Sequence, residues 1–299
     1  MHCIMSGMIF FEICFFVLGA IIGSFLNVCI HRMPREESIV RPGSRCPACG
    51  AAIRFYDNIP LVSYLILRGR CRRCGRGISI RYAAIELLTA VLFAALFRRI
   101  SSLPAITSFG PSMELATALI FACVLIVISF IDLEFQIIPD VLSLGGLLLA
   151  ILLSFVRTMP FFGQDDALFR AASTFFGLST SFGFPFNFVH SLAGVLLGGG
   201  ILYAIAKLYE IVRKTEGMGG GDIKLLAMIG AFCGFTGVVF SLVAGSIIGV
   251  MVGIPLMLVK GKDTKYAIPF GPFLSLGAIV YVMAGDGLIR GLSALIARE

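Results

Sequence analysis

Apolar stretches long enough to cross a bilayer as helices recur along nearly the whole chain, at roughly 8–30, 82–97, 114–131, 138–157, 188–209, 223–239, 238–259 and 270–289. In hydrocarbon every backbone N–H and C=O must be satisfied internally, which leaves a helical bundle as the reading of such a pattern. Composition agrees: 58% of the residues are hydrophobic, 14% are charged and the mean hydropathy is +0.99, too apolar for a soluble domain. The expectation is an all-α polytopic membrane protein with about eight transmembrane helices, the sixth and seventh hardest to separate. The first window lacks a basic flank and runs into Gly23-Ser24-Phe25-Leu26-Asn27 without a small-residue cleavage site, so it reads as a retained helix.

Basic residues orient the bundle. Eighteen of the 24 Lys and Arg fall between His31 and Tyr82, between Lys207 and Lys224, or between Lys260 and Lys265. The positive-inside rule places these on the cytoplasmic side, and the N-terminus, the Phe161–Asn187 loop and the C-terminus opposite. Arg98 and Arg99 then lie on the far side, against the rule. Anionic lipid headgroups suffice to explain the net charge of +7, and no nucleic-acid-binding motif accompanies it, so no nucleic-acid partner is expected.

Between the first two spans the chain reads Arg45-Cys46-Pro47-Ala48-Cys49-Gly50 and then Arg70-Cys71-Arg72-Arg73-Cys74-Gly75. Two C-x-x-C pairs about twenty residues apart match knuckles that deliver four thiolates to a tetrahedral zinc, each closing on a glycine where the backbone turns. A loop this small has little core, so ligation of a structural zinc by Cys46, Cys49, Cys71 and Cys74 would supply much of its folding free energy. Disulfides or free thiols are the alternative, and a cytoplasmic location argues against disulfides. Cys3, Cys14, Cys29, Cys123 and Cys233 are scattered through apolar segments and read as small buried hydrophobes.

Among the acids, Asp132 closes the third span and Asp222 opens the sixth, at one membrane depth in this topology. Like charges at short range cannot both ionise, and a facing pair suits peptide hydrolysis: one carboxyl polarises the scissile carbonyl while the other activates water. Asp222 could instead cap its helix, but an anion at the C-terminus of a helix is opposed by the dipole, so capping accounts poorly for Asp132. Asp140, in Ile138-Pro139-Asp140, fits a first-turn role, and Glu134 reads as part of the same short loop. The glycines of Gly219-Gly220-Gly221-Asp222, Gly219 and Gly221 above all, would let another backbone approach. Gly19 and Gly23, and Gly194 with Gly198, are spaced for close helix packing. There is no H-E-x-x-H, and His2, His31 and His190 are dispersed. A transporter with an intramembrane ion pathway is the competing class, but Gly219–Asp222 has no counterpart in the first half. A scaffold built on the zinc loop alone would leave the aspartates unexplained.

These fragments, taken in order, resemble the bacterial type IV prepilin peptidases, bifunctional membrane enzymes that cleave prepilin leaders and N-methylate the new terminus. The resemblance runs through Gly23–Val28 and His31–Pro34, both cysteine pairs, Asn58-Ile59-Pro60 with Ser63, and Arg81-Tyr82 with Glu86. It continues through Ile131-Asp132-Leu133-Glu134 with Pro139-Asp140, through Glu216–Lys224, and ends in Ile268-Pro269-Phe270-Gly271-Pro272. It departs at Ala83, where the family commonly has proline. It implies that Asp132 and Asp222 are the catalytic aspartates and that the cysteines belong to the loop found in methylating members. The implied substrates are type IV prepilins or pseudopilins, the implied methyl donor is S-adenosylmethionine, and the implied location is the inner membrane with the active site facing the cytoplasm. The chain has no glycine-rich dinucleotide fingerprint, so no cofactor-binding residues follow; Glu86 is a weak candidate for the methyl-donor site and reads more simply as an acid near a helix start. The expected organisation is a first transmembrane helix (1–30), a cytoplasmic zinc-binding loop (31–82) and a helical peptidase domain (83–299).

Overall fold

The computed structural model describes residues 2–101, 110–156, 186–214, 219–260 and 269–296. The Phe161–Asn187 loop lies almost wholly outside these residues, as do the segment between Lys260 and Lys265, Glu216–Met218 and Ile268 of two of the motifs, and the side chain of Cys3. The helices are α1 (His2–Arg32), α2 (Val62–Ile66), α3 (Ile80–Ser101), α4 (Gly110–Phe135), α5 (Asp140–Val156), α6 (Phe186–Arg213), α7 (Gly220–Lys260) and α8 (Gly271–Ile296). There are no strands among the described residues, only two isolated bridges in the cysteine loop. Among the described residues five helical segments are long and apolar enough to cross a membrane, and Asp140–Phe155 and Gly271–Gly285 are shorter apolar helices. Large apolar side chains such as Ile13, Val141, Leu152, Leu196 and Met251 stand exposed on the helices, as expected where lipid rather than water is the solvent. The protein is a multi-pass membrane protein.

The chain divides into two compact units, Met1–Ile106 and Thr107–Glu299. In the first, α1 and α3 run antiparallel in close contact. A Cβ added at Gly19 would stand 2.7 Å from the Ala90 Cα, and one at Gly23 2.8 Å from the Glu86 Cα, so the G-x-x-x-G spacing is a backbone-to-backbone seam. Asn27, buried in α1, donates to the Tyr82 carbonyl at 3.0 Å and closes the end of the seam. At the other end Arg98 pairs with Glu12 at 3.8 Å, so the arginine that the positive-inside rule left unexplained has an acid from α1 beside it. Cys14 corrects one expectation: it is exposed, on the outer side of α1 that also carries Ile13, Val17 and Leu18, whereas Cys29 is buried. An apolar residue in a membrane helix can satisfy itself in lipid without entering the protein core.

In the second unit α7 packs along α5, α6 and α8, and α4 packs on α8. The predicted sixth and seventh spans form α7, interrupted at Gly234 with φ 70° and ψ −165°. A Cβ on Gly230 would lie 2.9 Å from Val238 Cγ2; eight residues along an unbroken helix would separate them by about 12 Å, so the two arms turn sharply upon each other. Among the described residues, the candidate spans with the two arms counted separately, together with the two shorter apolar helices, reach the expected number of about eight. The break frees the Ala231 carbonyl, which accepts a 2.7 Å hydrogen bond from Ser191 Oγ of α6. The imidazole of His190, 4% exposed, occupies the space where a side chain at position 234 would stand. Gly234→Ala therefore meets both a glycine-only backbone conformation and His190, and is expected to destabilise the protein by about 1–3 kcal/mol or more, read as a lower melting temperature in detergent. An unchanged melting temperature would show that the break does not depend on Gly234.

Candidate active site

Asp132 lies in the last turn of α4, whose backbone ends with the Gln136 N–H donating to the Asp132 carbonyl at 2.9 Å. Glu134 belongs to that same turn, not to the connecting loop, because α4 runs on to Phe135. Only 5% of Asp132 is exposed, and its Oδ2 is buried without a hydrogen-bond partner. Such a group is costly to bury and calls for a reason other than stability. The backbone N–H of Gly271, the first residue of α8, faces the carboxylate, and a Cβ at Gly271 would come within 2.6 Å of Oδ2. Gly271 is thus the glycine that admits the acid. Gly271 stands in the Ile268–Pro272 motif, and the Gly-Pro pair opening an apolar helix is the sequence signal for it.

Asp222 lies within the first turn of α7, past the capping position, since the helix starts at Gly220. It is partly buried and lies within electrostatic reach of Asp132. Ile138, from the connection between α4 and α5, fills the space between the two helix starts. A Cβ on Gly221 would stand 3.0 Å from Ile138 Cβ, and one on Gly271 3.2 Å from Ile138 Cδ1. Gly221 is therefore tightly opposed, while Gly219 has open space around it. The structure brings Asp132, Asp222, Gly221 and Gly271 together. It leaves Asp140 apart from them in its bonding: as the first residue of α5 it accepts a 2.6 Å hydrogen bond from Lys224 Nζ. Both partners are more than a third exposed, at 38% and 60%, so Asp140→Asn is expected to cost about 0–1 kcal/mol and little activity. Loss of activity comparable with that of either buried-pair variant would contradict this assignment.

The four cysteines occupy the first unit. Their sulfur atoms all lie within 4.8 Å of one another, and Cys46 and Cys74 are 3.9 Å apart. Tetrahedral zinc with bonds of about 2.3 Å sets its sulfurs about 3.8 Å apart, so the donor set fits that ion. The two knuckles repeat one another hydrogen bond for hydrogen bond. The Gly50 N–H donates to Cys46 and the Gly75 N–H to Cys71, both at 2.9 Å; the Cys46 N–H donates to Ala51 and the Cys71 N–H to Arg76; each is closed by a single bridge, Arg45 with Ala52 and Arg70 with Gly77. Gly50 and Gly75 turn the backbone as expected, and do so with φ of 67° and 70°, in the left-handed region. The N–H groups of Cys49 and Ala48 hold the Cys46 thiol down at about 6. At Cys74 the Arg76 N–H acts in the same sense, but burial and the neighbouring sulfurs push the thiol up to about 11. Four sulfurs so crowded cannot all ionise at neutral pH without a cation among them. Arg72 of the second knuckle grips Asp57 with three hydrogen bonds of 2.7–2.9 Å, and its guanidinium and that of Arg54 both lie over the Tyr56 ring.

Comparison with known proteins follows the same division. Residues 17–100 match the bacterial peptidase A24 N-terminal domain and residues 119–254 the type IV leader peptidase family, one within each compact unit. A prepilin leader peptidase/N-methyltransferase of Pseudomonas aeruginosa is 31% identical over 94% of this chain and 92% of its own. The chain belongs to the type IV leader peptidase family. Other relatives of the same name include one from Aeromonas hydrophila, 33% identical over 92% of this chain and 91% of its own. One from Myxococcus xanthus is 39% identical over 84% of this chain, which spans 65% of that relative's length. No solved structure matches. In this family member the A24 N-terminal match contains the entire cysteine cluster, and the leader peptidase match contains both Asp132 and Asp222.

Proposed function

We propose that this protein is a membrane aspartyl endopeptidase that removes the leader of type IV prepilins or pseudopilins and N-methylates the new terminus, with Asp132 and Asp222 as its catalytic pair. The observation that carries the assignment is the buried, unpartnered Oδ2 of Asp132 within electrostatic reach of Asp222. One carboxyl, protonated, donates a hydrogen bond to the scissile carbonyl; the other takes a proton from water as its oxygen attacks the carbonyl carbon. Collapse of the resulting diol breaks the C–N bond, and the leaving amine takes up a proton from the pair. Both aspartates lie at helix ends, the depth at which a substrate with a polar leader and an apolar helix presents its junction. With the basic loops inside, that face is the cytoplasmic side of the bacterial inner membrane.

In this reading Cys46, Cys49, Cys71 and Cys74 hold a structural zinc, which supplies cross-linking of the loop and no catalysis. The loop over 31–82 serves methylation from S-adenosylmethionine, and the helices of 83–299 that carry the aspartates serve cleavage. The test is mass spectrometry of a candidate prepilin incubated with the purified protein, with and without S-adenosylmethionine. The expected products are a pilin lacking its leader, bearing one added methyl group only when the donor is present. A prepilin that stays intact under both conditions, given to protein with full zinc content, would overturn the proposal.

A further inference from the structure

The exposed face of α2 and the arginines that follow it form one surface of the cysteine loop. Val62, Leu65 and Ile66 are spaced i, i+3, i+4 on α2 and are 48%, 74% and 70% exposed, while Ser63 is buried. At the end of the helix and just beyond it, Ile66, Leu67, Arg68, Arg70, Cys71 and Arg72 line an open cleft of about 440 Å³. Arg72 is committed to Asp57, but Arg68 and Arg70 are exposed and face no carboxylate among the described residues. Across residues 31–82 there are eleven arginines against Glu36, Glu37 and Asp57.

The height of α2 is set by its anchors. Glu86 Oε2 accepts a 2.8 Å hydrogen bond from the N–H of Leu61, the residue before α2. Glu86 lies six residues into α3, about 9 Å along that helix. Tyr64 of α2 donates to the Ile78 carbonyl just ahead of α3 at 3.4 Å, and buried Ser63 donates to Tyr56 and accepts from Ile59. To hold this position Leu61 takes φ 61° and ψ −49°, with the Val62 N–H bonded to the Pro60 carbonyl at 2.6 Å. That is a γ-turn of the strained hand, unusual for a leucine and kept only where its surroundings enforce it. A short helix fixed beside the first turns of a candidate membrane span, apolar outward and followed by exposed arginines, has the character of an element at the boundary of headgroups and acyl chains.

We propose that this face is a seat for anionic phospholipid, with Val62, Leu65 and Ile66 in the acyl boundary and Arg68 and Arg70 on the headgroup phosphates. The lipid clamps the cysteine loop against the membrane at the level of Glu86. The charge balance selects anionic over zwitterionic lipid.

The chain contains no tryptophan, so Leu65→Trp creates a single reporter in the whole chain purified without chelator, and Ile66→Trp provides an independent second one. Each is reconstituted into nanodiscs of phosphatidylglycerol and phosphatidylcholine in which one lipid or the other carries bromine on its acyl chains. Both reporters should be quenched roughly twofold, and more by brominated phosphatidylglycerol, whereas Arg76→Trp on the exposed second knuckle should not be quenched. Adding Arg68→Gln and Arg70→Gln should reduce the preference for phosphatidylglycerol by about fivefold per arginine. Emission characteristic of water from both reporters would overturn the proposal. So would blue-shifted emission that bromine leaves unquenched, since protein would then cover the face, and so would equal quenching by the two lipids.

Discussion

Asp132→Asn and Asp222→Asn are each expected to abolish leader cleavage, by about a thousandfold or more, while the protein still inserts, folds and keeps its zinc. An amide matches the carboxyl in size and cannot take the proton from water or share one with its partner. The buried Oδ2 of Asp132 makes that substitution informative about stability as well. Oδ2 has no close hydrogen-bond partner, the Gly271 N–H that faces the carboxyl can be accepted by an amide oxygen as well, and a buried acid becomes a neutral amide, so Asp132→Asn should leave the melting temperature unchanged or raise it. A protein that sacrifices stability at one position for chemistry behaves in this way, whereas a structural aspartate would be missed in the fold. Leader cleavage near the wild-type rate by either variant would remove the paired-acid mechanism. A marked loss of folding by Asp132→Asn would recast that residue as structural.

The second large effect is expected at the cysteines. Protein purified without chelator should contain one zinc, and Cys71→Ser should lose it. The paired knuckles are held by a handful of backbone hydrogen bonds and the Arg72–Asp57 contact, too little to keep crowded sulfurs together without the metal. Methylation should then fall by about tenfold or more beyond any fall in cleavage, because the aspartates belong to the other compact unit. Elemental analysis that finds no stoichiometric metal would refute the zinc assignment, and equal loss of both activities would refute the division of labour.

What the sequence made legible follows from how local each signal is. Both C-x-x-C pairs and their glycines are local, and the spacing anticipated the four-sulfur cluster and the turns at Gly50 and Gly75. Apolar windows are local as well, so the helices came out near their observed bounds, and the windows that overlapped are the two arms joined at Gly234. The location of that break was not legible, because it depends on His190 and Ser191 reaching across from α6. Nor was the pairing of Asp140 with Lys224, two residues 84 positions apart in separate motifs. Gly271 stood in a recognised motif, yet its place against Asp132 needed the packing of α8 on α4. Lipid-facing positions carry no hydropathy contrast with core positions, which is why Cys14 and Cys29 looked alike and differ.

The claim that cleavage and methylation are separate chemistries of one chain is tested most directly with Asp222→Asn, given in parallel an intact prepilin and a pilin already cut at its leader, each with S-adenosylmethionine. Mass spectrometry should show the intact substrate unchanged and the cut one methylated at the wild-type rate. Methylation that disappears together with cleavage, in a variant that keeps its fold and its zinc, would contradict the account.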